Sequence, residues 1–237
     1  MLDDRRRMFR LTHDRESEVA LARFFSEGGW RPTRKLLATA GDRLALEHIV
    51  CVTGDPEAPS EIEILELDEV DREGRFVAIT LFDPQDRAAA SAELFERCVA
   101  NGADGMPAAL IEYLRALNAR DPRRVRAVLP DDFVFDDRRR TGLGRLEGAD
   151  AFVPSLSAVW KLTREWRLDE LYAVAVAPHA RVAVWRTSSA SAEGGEFESL
   201  FVELVRHERD QLRAIELFEL ENLEAALARF EELRPKR

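Results

Sequence analysis

A chain of 237 residues that is 46% hydrophobic and 34% charged can build one large core or two small ones, and has the balance of a soluble globular protein. Its 45 acidic residues outnumber 35 basic ones, leaving a formal net charge of -10, which repels phosphate backbones and argues against a nucleic-acid partner. No apolar run reaches the roughly 18 residues of a membrane-spanning helix, and the start Met1-Leu2-Asp3-Asp4-Arg5-Arg6-Arg7 has no apolar segment behind its charges, so neither a membrane nor a secretory route is expected. Cys51 and Cys98 are the only cysteines; without histidines at ligand spacing they read as reduced thiols of a cytoplasmic protein.

In chain order, Val19, Leu21, Phe24 and Phe25 mark a helix over 14–27. Strands are expected at 34–39, 44–52, 62–70 and 76–82, with Gly54-Asp55-Pro56 and Asp71-Arg72-Glu73-Gly74 as turns. An alanine-rich helix over 84–99 follows, then the turn-like linker Asn101-Gly102-Ala103-Asp104-Gly105. Leu110, Ile111, Leu114 and Leu117 form the apolar face of a helix over 107–118. Asp121-Pro122 starts another that stops before Pro130, because Asp accepts the free amide hydrogens of a first turn and Pro suits that turn. Residues 132–138 alternate apolar and polar, as a half-buried strand does. Phe152, Leu156 and Val159 give helical spacing over 147–160, where Pro154 requires the first turn or a kink. Strands at 166–176, 181–188, 197–206 and 212–218, with turns at Gly194-Gly195 and 207–210, lead to a last helix over 221–233. Successive strands joined by short turns imply curved antiparallel sheets with helices packed on one face, an α+β fold.

The pattern occurs twice. Leu2-Asp3-Asp4-Arg5-Arg6-Arg7 recurs as Phe135-Asp136-Asp137-Arg138-Arg139-Arg140. Arg43-Leu44-Ala45-Leu46 answers Arg181-Val182-Ala183-Val184, and Ile79-Thr80-Leu81-Phe82-Asp83 answers Ile215-Glu216-Leu217-Phe218-Glu219. Two tandem domains are therefore expected, 1–103 and 107–237, the first lacking the two helices that open the second. The arginine triplets sit beside paired aspartates and read as solvated faces rather than phosphate sites.

Residues 107–233 resemble the ketosteroid isomerase, SnoaL and nuclear transport factor 2 superfamily. The resemblance is carried by Tyr113-Leu114-Arg115-Ala116-Leu117-Asn118-Ala119-Arg120-Asp121, by Asp131-Asp132-Phe133-Val134-Phe135-Asp136-Asp137, and by Leu217-Phe218 running into Glu221-Asn222-Leu223. It implies two cone-shaped domains, each a curved sheet packed against helices. In ketosteroid isomerases a carboxylate abstracts a proton beside a carbonyl, while a tyrosine and a protonated acid hold the oxyanion. By that resemblance Tyr113 is the oxyanion donor and Asp137 the general base. The second acid falls around Leu200-Phe201, which is apolar. The first copy offers Asp4 as the counterpart of Asp137, and Glu66, Glu63 or Asp68 near the acid position, without a tyrosine helix.

Neither copy thus holds the full isomerase set. The expected function is a tandem, non-catalytic pair that binds a small apolar ligand or serves assembly within a larger protein. The alternative is an isomerase, cyclase or hydrolase acting on a small hydrophobic substrate in the second domain. Trp160, Trp185, Phe201 and Phe218 are the expected ligand-binding residues, with core packing the other reading of the tryptophans, Trp166 included. His13, His48, His179 and His207 lack ligand spacing, and there is no glycine-rich phosphate loop or serine nucleophile elbow, so no metal and no cofactor are expected. Besides the apolar ligand, a second copy of the chain or an upstream domain is the expected partner.

Overall fold

The computed structural model describes residues 2–7, 12–52, 60–191, 195–208 and 210–235. They fall into two units, Met1–Ala100 and Asn101–Arg237. The expected turns at Gly54-Asp55-Pro56 and at Gly194 lie outside the described residues.

The first unit runs β1 (Leu2–Asp4), β2 (Thr12–His13), α1 (Arg15–Glu27), β3 (Arg31–Ala40), β4 (Leu44–Val52), β5 (Glu61–Val70), β6 (Phe76–Phe82) and α2 (Arg87–Ala100). The second opens with α3 (Ala108–Asn118) and α4 (Pro122–Val128). It continues with β7 (Val134–Asp137), β8 (Gly144–Glu147), α5 (Ala149–Lys161), β9 (Thr163–Ala177), β10 (Ala180–Ser191), β11 (Glu196–Glu208), β12 (Gln211–Glu219) and α6 (Leu223–Glu232). Each unit holds one six-stranded sheet, ordered β2-β1-β6-β5-β4-β3 and β8-β7-β12-β11-β10-β9. The ladders are antiparallel except β1–β6 and β7–β12, which are parallel. The sheets are therefore mixed: the first strand of each returns to lie beside the last. Register shifts within β9–β10 and β3–β4 bend the strands. Among the described residues no helix is long and apolar enough to cross a membrane.

Local chemistry explains the element ends. The Asp14 carboxylate caps α1 by accepting the Ser17 amide at 2.9 Å. Asp121 caps α4 by accepting the amides of Arg123 and Arg124, with Pro122 at the first helical position. The strands β2 and β8 escape the sequence reading because they span only two and four residues. Helix α5 starts two residues later than the spacing predicts, since Glu147 is used in β8 and Gly148 turns the chain at φ 85°. Pro154 lies inside α5, beyond its first turn.

Each sheet has two faces. In the second unit Val182, Val184, Val202, Leu204 and Phe218 form a buried cluster with Ala226 and Phe230 of α6. Alternation along the strands sends Trp185, Phe201, Glu203, Ile215, Leu217 and Asp137 to the other face, where α3 packs with Leu110, Tyr113, Leu114 and Leu117 buried. In the first unit α2 packs against β3, β4 and β5, burying Leu44, Leu46, Leu65, Leu67, Leu94 and Cys98. Phe24 of α1 is 65% exposed.

The pairing register gives each sheet a matching row. Asp4 pairs with Leu81, Leu81 with Glu66, and Glu66 with Glu47. Asp137 pairs with Leu217, Leu217 with Glu203, and Glu203 with Ala183. This row sets Glu47 against Ala183, two residues from the alignment that the Arg43 and Arg181 segments suggest; a two-residue slip keeps the same face. The side chains of the row's first strand also correspond. Arg5 and Arg138 each donate their amide to the carbonyl of Leu81 or Leu217 at 3.0 Å. Each lies over a phenylalanine, Phe82 or Phe218, at 5.5 and 5.2 Å. Arg6 and Arg139 clasp Asp4 and Asp137 through two donors each. The amides of Arg7 and Arg140 go to Asp83 and Glu219.

Candidate functional site

The α3-covered face of the second sheet gathers the polar groups that packing does not use. Helix α3 is fixed to the sheet by Asn118, whose side chain donates to the Leu168 carbonyl and accepts the Leu168 amide, both at 2.9 Å. Arg120 follows at φ 53° and donates to the carbonyls of Trp160, Thr163 and Arg164. This anchoring places Tyr113, 3% exposed, over the strands.

Asp137 sits at the end of β7 and is buried. Its Oδ1 accepts Nε of Arg139 at 2.8 Å, and its Oδ2 accepts Nη2 of Arg139 at 2.8 Å and the Leu143 amide at 3.2 Å. A Cβ on Gly142 would stand 2.5 Å from this carboxylate, so the loop closes over Asp137 only with glycine there. Burial pushes Asp137 up, but the Arg139 bonds outweigh it and hold the group below the usual carboxylate range. Arg139 in turn lies over the Phe201 ring at 4.7 Å. The arginine expected to be solvated is thus a wall of the site; Arg140, its neighbour, does stand in solvent.

Glu203 is the residue that sequence reasoning misses. It stands on β11 two positions beyond Phe201 and in the same phase, near the stretch Leu200-Phe201 where the resemblance places an acid. Its signal is a lone carboxylate in the apolar run Phe201-Val202-Glu203-Leu204-Val205. It is 3% exposed, and its Oε1 is buried without a hydrogen bond. Burial first, and Glu170 second, push its pKa up to about 8 against the opposing pull of Arg139. The neighbouring Glu170 is paired with Arg181 at 2.6 Å. Burial and the charge of Glu203 hold the Tyr113 phenol well above its ordinary value. At neutral pH both groups therefore keep their protons and can donate hydrogen bonds.

Of the other expected ligand-binding residues, Trp185 lies on this face with Nε1 buried and unbonded. Trp160 is buried on α5, edge-on to Trp166 at 6.0 Å, and its Nε1 is also unbonded. The structure does not bring Phe218 to the site: it packs in the α6 cluster on the opposite face, because its neighbours Leu217 and Glu219 take the site-facing phase.

The first unit holds the one group of carboxylates, among the described residues, arranged as metal ligands: Glu47, Glu66 and Asp68, with one oxygen of each within 4.8 Å of the others. The Arg34 guanidinium already stands among them, bonded to Glu47 and to Glu66 at 3.0 Å and 3.9 Å from Asp68. Burial, then Glu66, raise Asp68 to about 7. Cys51 and Cys98 are not joined in a disulfide.

The SnoaL-like domain family model matches residues 110–228, just over half of the chain. The chain belongs to this family. The SnoaL-like match opens within α3 and ends within α6, so it takes in Tyr113, Asp137 and Glu203. Several similar solved structures are described as nuclear transport factor 2-like proteins. A hypothetical protein of Catenulispora acidiphila with a ketosteroid isomerase-like fold, solved with trimethylamine, is 11% identical over 51% of this chain and 92% of its own, with a TM-score of 0.42. An epoxide hydrolase-like protein of Mycobacterium tuberculosis is 16% identical over 51% and 87%, with a TM-score of 0.40. Another Mycobacterium tuberculosis protein, solved with estradiol-17beta-hemisuccinate, is 16% identical over 48% and 92%, with a TM-score of 0.42. No curated protein matches the chain.

Proposed function

We propose that the second SnoaL-like unit binds a small, mainly apolar molecule bearing one carbonyl or hydroxyl group, on the sheet face covered by α3. The observation that carries this is the buried Glu203 carboxyl beside Tyr113, with an oxygen that no protein group satisfies. An unsatisfied buried polar atom costs about 1–3 kcal/mol, and a ligand oxygen placed between a phenol and a protonated acid removes that cost. Phe201 and Trp185 supply apolar walls of such a site.

Asp137 fits a positioning role better than that of a general base. Its four accepted hydrogen bonds leave little lone-pair capacity, and its depressed pKa makes it a weak proton acceptor. It holds Arg139 over Phe201 instead. Binding without proton abstraction is therefore favoured over an isomerase, cyclase or hydrolase reaction.

The same reading takes residues 107–237 as a complete SnoaL-like domain and 1–103 as a second copy without counterparts of α3 and α4. The common strand order, the matched row and the six-residue correspondence from Leu2 to Arg7 support it.

Titration with small neutral phenols and aromatic ketones, followed by tryptophan fluorescence, tests the binding site. Saturable quenching is expected, weakened about tenfold by Tyr113→Phe and by Glu203→Leu. Binding that neither substitution changes would count against the site. Exchange of ketone α-hydrogens with deuterated solvent at a catalysed rate would restore the enzymatic reading.

A further inference from the structure

A cavity of about 360 Å3 opens at the β11–β12 hairpin end of the second unit; its walls include Asp132, His179, Arg206, His207, Glu208 and Arg213. His207 lies four steps along β11 from Glu203, roughly 13 Å of extended strand, so this is a different place from the Tyr113 site.

The walls arise from a break in the ladder. The β11–β12 register shifts between Arg206 and His207, where Arg213 of β12 is the extra residue; such a bulge re-aims side chains at the hairpin end. Arg206 and His207 both reach the cavity. The His207 amide donates to the His179 carbonyl at 3.1 Å, which brings the second imidazole to the same end.

The charges divide unevenly. Arg213 is ion-paired: Nη1 donates to Asp132 at 3.2 Å, and its buried Nε lies 3.3 Å from Glu208 without a hydrogen bond. Arg206 has no carboxylate partner among the described residues, and its buried Nε makes no hydrogen bond. His207 is 9% exposed, and its buried Nε2 is also unbonded. Burial lowers the pKa of His207; His179 and Arg181 act in the same direction and Asp210 opposes them. The imidazole is therefore largely neutral at pH 7. With its proton on Nε2 it offers one N–H beside the guanidinium of Arg206.

Three nitrogens buried without hydrogen bonds, on Arg206, His207 and Arg213 of one cavity, call for an oxygen-rich group. We propose that this cavity binds a small oxyanion, a carboxylate or a phosphate, through the Arg206 fork and the His207 imidazole. A guanidinium matches either group with two parallel hydrogen bonds.

The test uses the whole chain, titrated with inorganic phosphate in one arm and acetate in the other, against chloride at constant ionic strength. Imidazole resonances of all four histidines are followed by NMR. Saturable shifts confined to His179 and His207 are expected in at least one arm, and the tighter arm names the group. Arg206→Met should weaken binding tenfold or more, about the loss of one charge-assisted hydrogen bond. Arg206→Lys, which keeps the charge but not the fork, should fall between and serves alone if the methionine variant does not fold. No saturation in either arm overturns the assignment. So do equal shifts at His13 and His48, or unchanged affinity in the folded variants.

Discussion

The two units share a strand order and a matched row of residues, yet treat the acid in that row differently. In the second, α3 lies over the row, and Glu203 is buried without an ion-pair partner among the described residues and keeps its proton. In the first, the matching Glu66 stands with Glu47 and Asp68, and Arg34 reaches in from β3 with its side chain 48% exposed. Desolvation penalises a lone carboxylate until it is protonated, whereas a cluster of carboxylates recruits a cation. One sheet therefore supports two electrostatic solutions, chosen by what covers it.

The largest expected contrast is in the helix that follows the second strand of each sheet. Phe152 of α5 is buried between Phe133 and Phe135, at 5.4 and 4.7 Å, so Phe152→Ala should cost about 3–5 kcal/mol in denaturant unfolding. Phe24→Ala on α1 should stay within about 0.5 kcal/mol. Equal losses would mean that α1 is packed as well as α5.

Next come the arginine clasps. Arg139→Ala strands a buried Asp137 and should cost about 3 kcal/mol. Arg6→Ala leaves Asp4, whose pairing is similar but which carries no counterpart of the Leu143 bond among the described residues, and should cost less. A double-mutant cycle with Asp137→Asn and Asp4→Asn measures each pair. Gly142→Ala, by driving a Cβ into the Asp137 carboxylate, should cost about 1–3 kcal/mol; a neutral result would place the loop elsewhere.

Taken per pH unit, the smallest effect is in titration. Glu203 has a folded pKa of about 8, above the unfolded value of about 4.3. Between these values the folded state holds a proton that the unfolded chain has released, so stability falls as pH rises. The slope from one such group is at most about 1.4 kcal/mol per pH unit and ends above its folded pKa. Glu203→Gln should flatten the fall up to pH 8, and Asp68→Asn a smaller one that ends near 7. If thermal melts across this range show the same slope in wild type and Glu203→Gln, the glutamate is ionised when folded.

The long strands and the helices were legible because each has its own period, as with Leu110, Tyr113, Leu114 and Leu117 on α3. The doubled Asp-Asp-Arg-Arg-Arg segment located the row. What the sequence could not display was partnership across the sheet. The pairing of Arg139 with Asp137 looks like surface charge when read along the chain, because two residues apart in a strand means the same face and nothing about depth. Glu203 lies two positions past Phe201, beyond the stretch to which the resemblance points. Phe218 was misassigned by one step of alternation. The parallel pairing of first and last strands also needs coordinates, because it joins residues with no local signal between them.

That parallel closure has a consequence for how the molecule is made. The amide of Arg140 finds its acceptor on Glu219, 79 residues later, and β7 meets β12 only after every other strand of its sheet has been synthesised. Emerging from a ribosome, the strand that carries Asp137 has β8 for company and nothing on its other edge. Such distant contacts are slow to form, and an open edge is a place where chains aggregate. The clasp of Arg139 on Asp137 is local, needs no later residue, and places charge on that waiting strand from the outset.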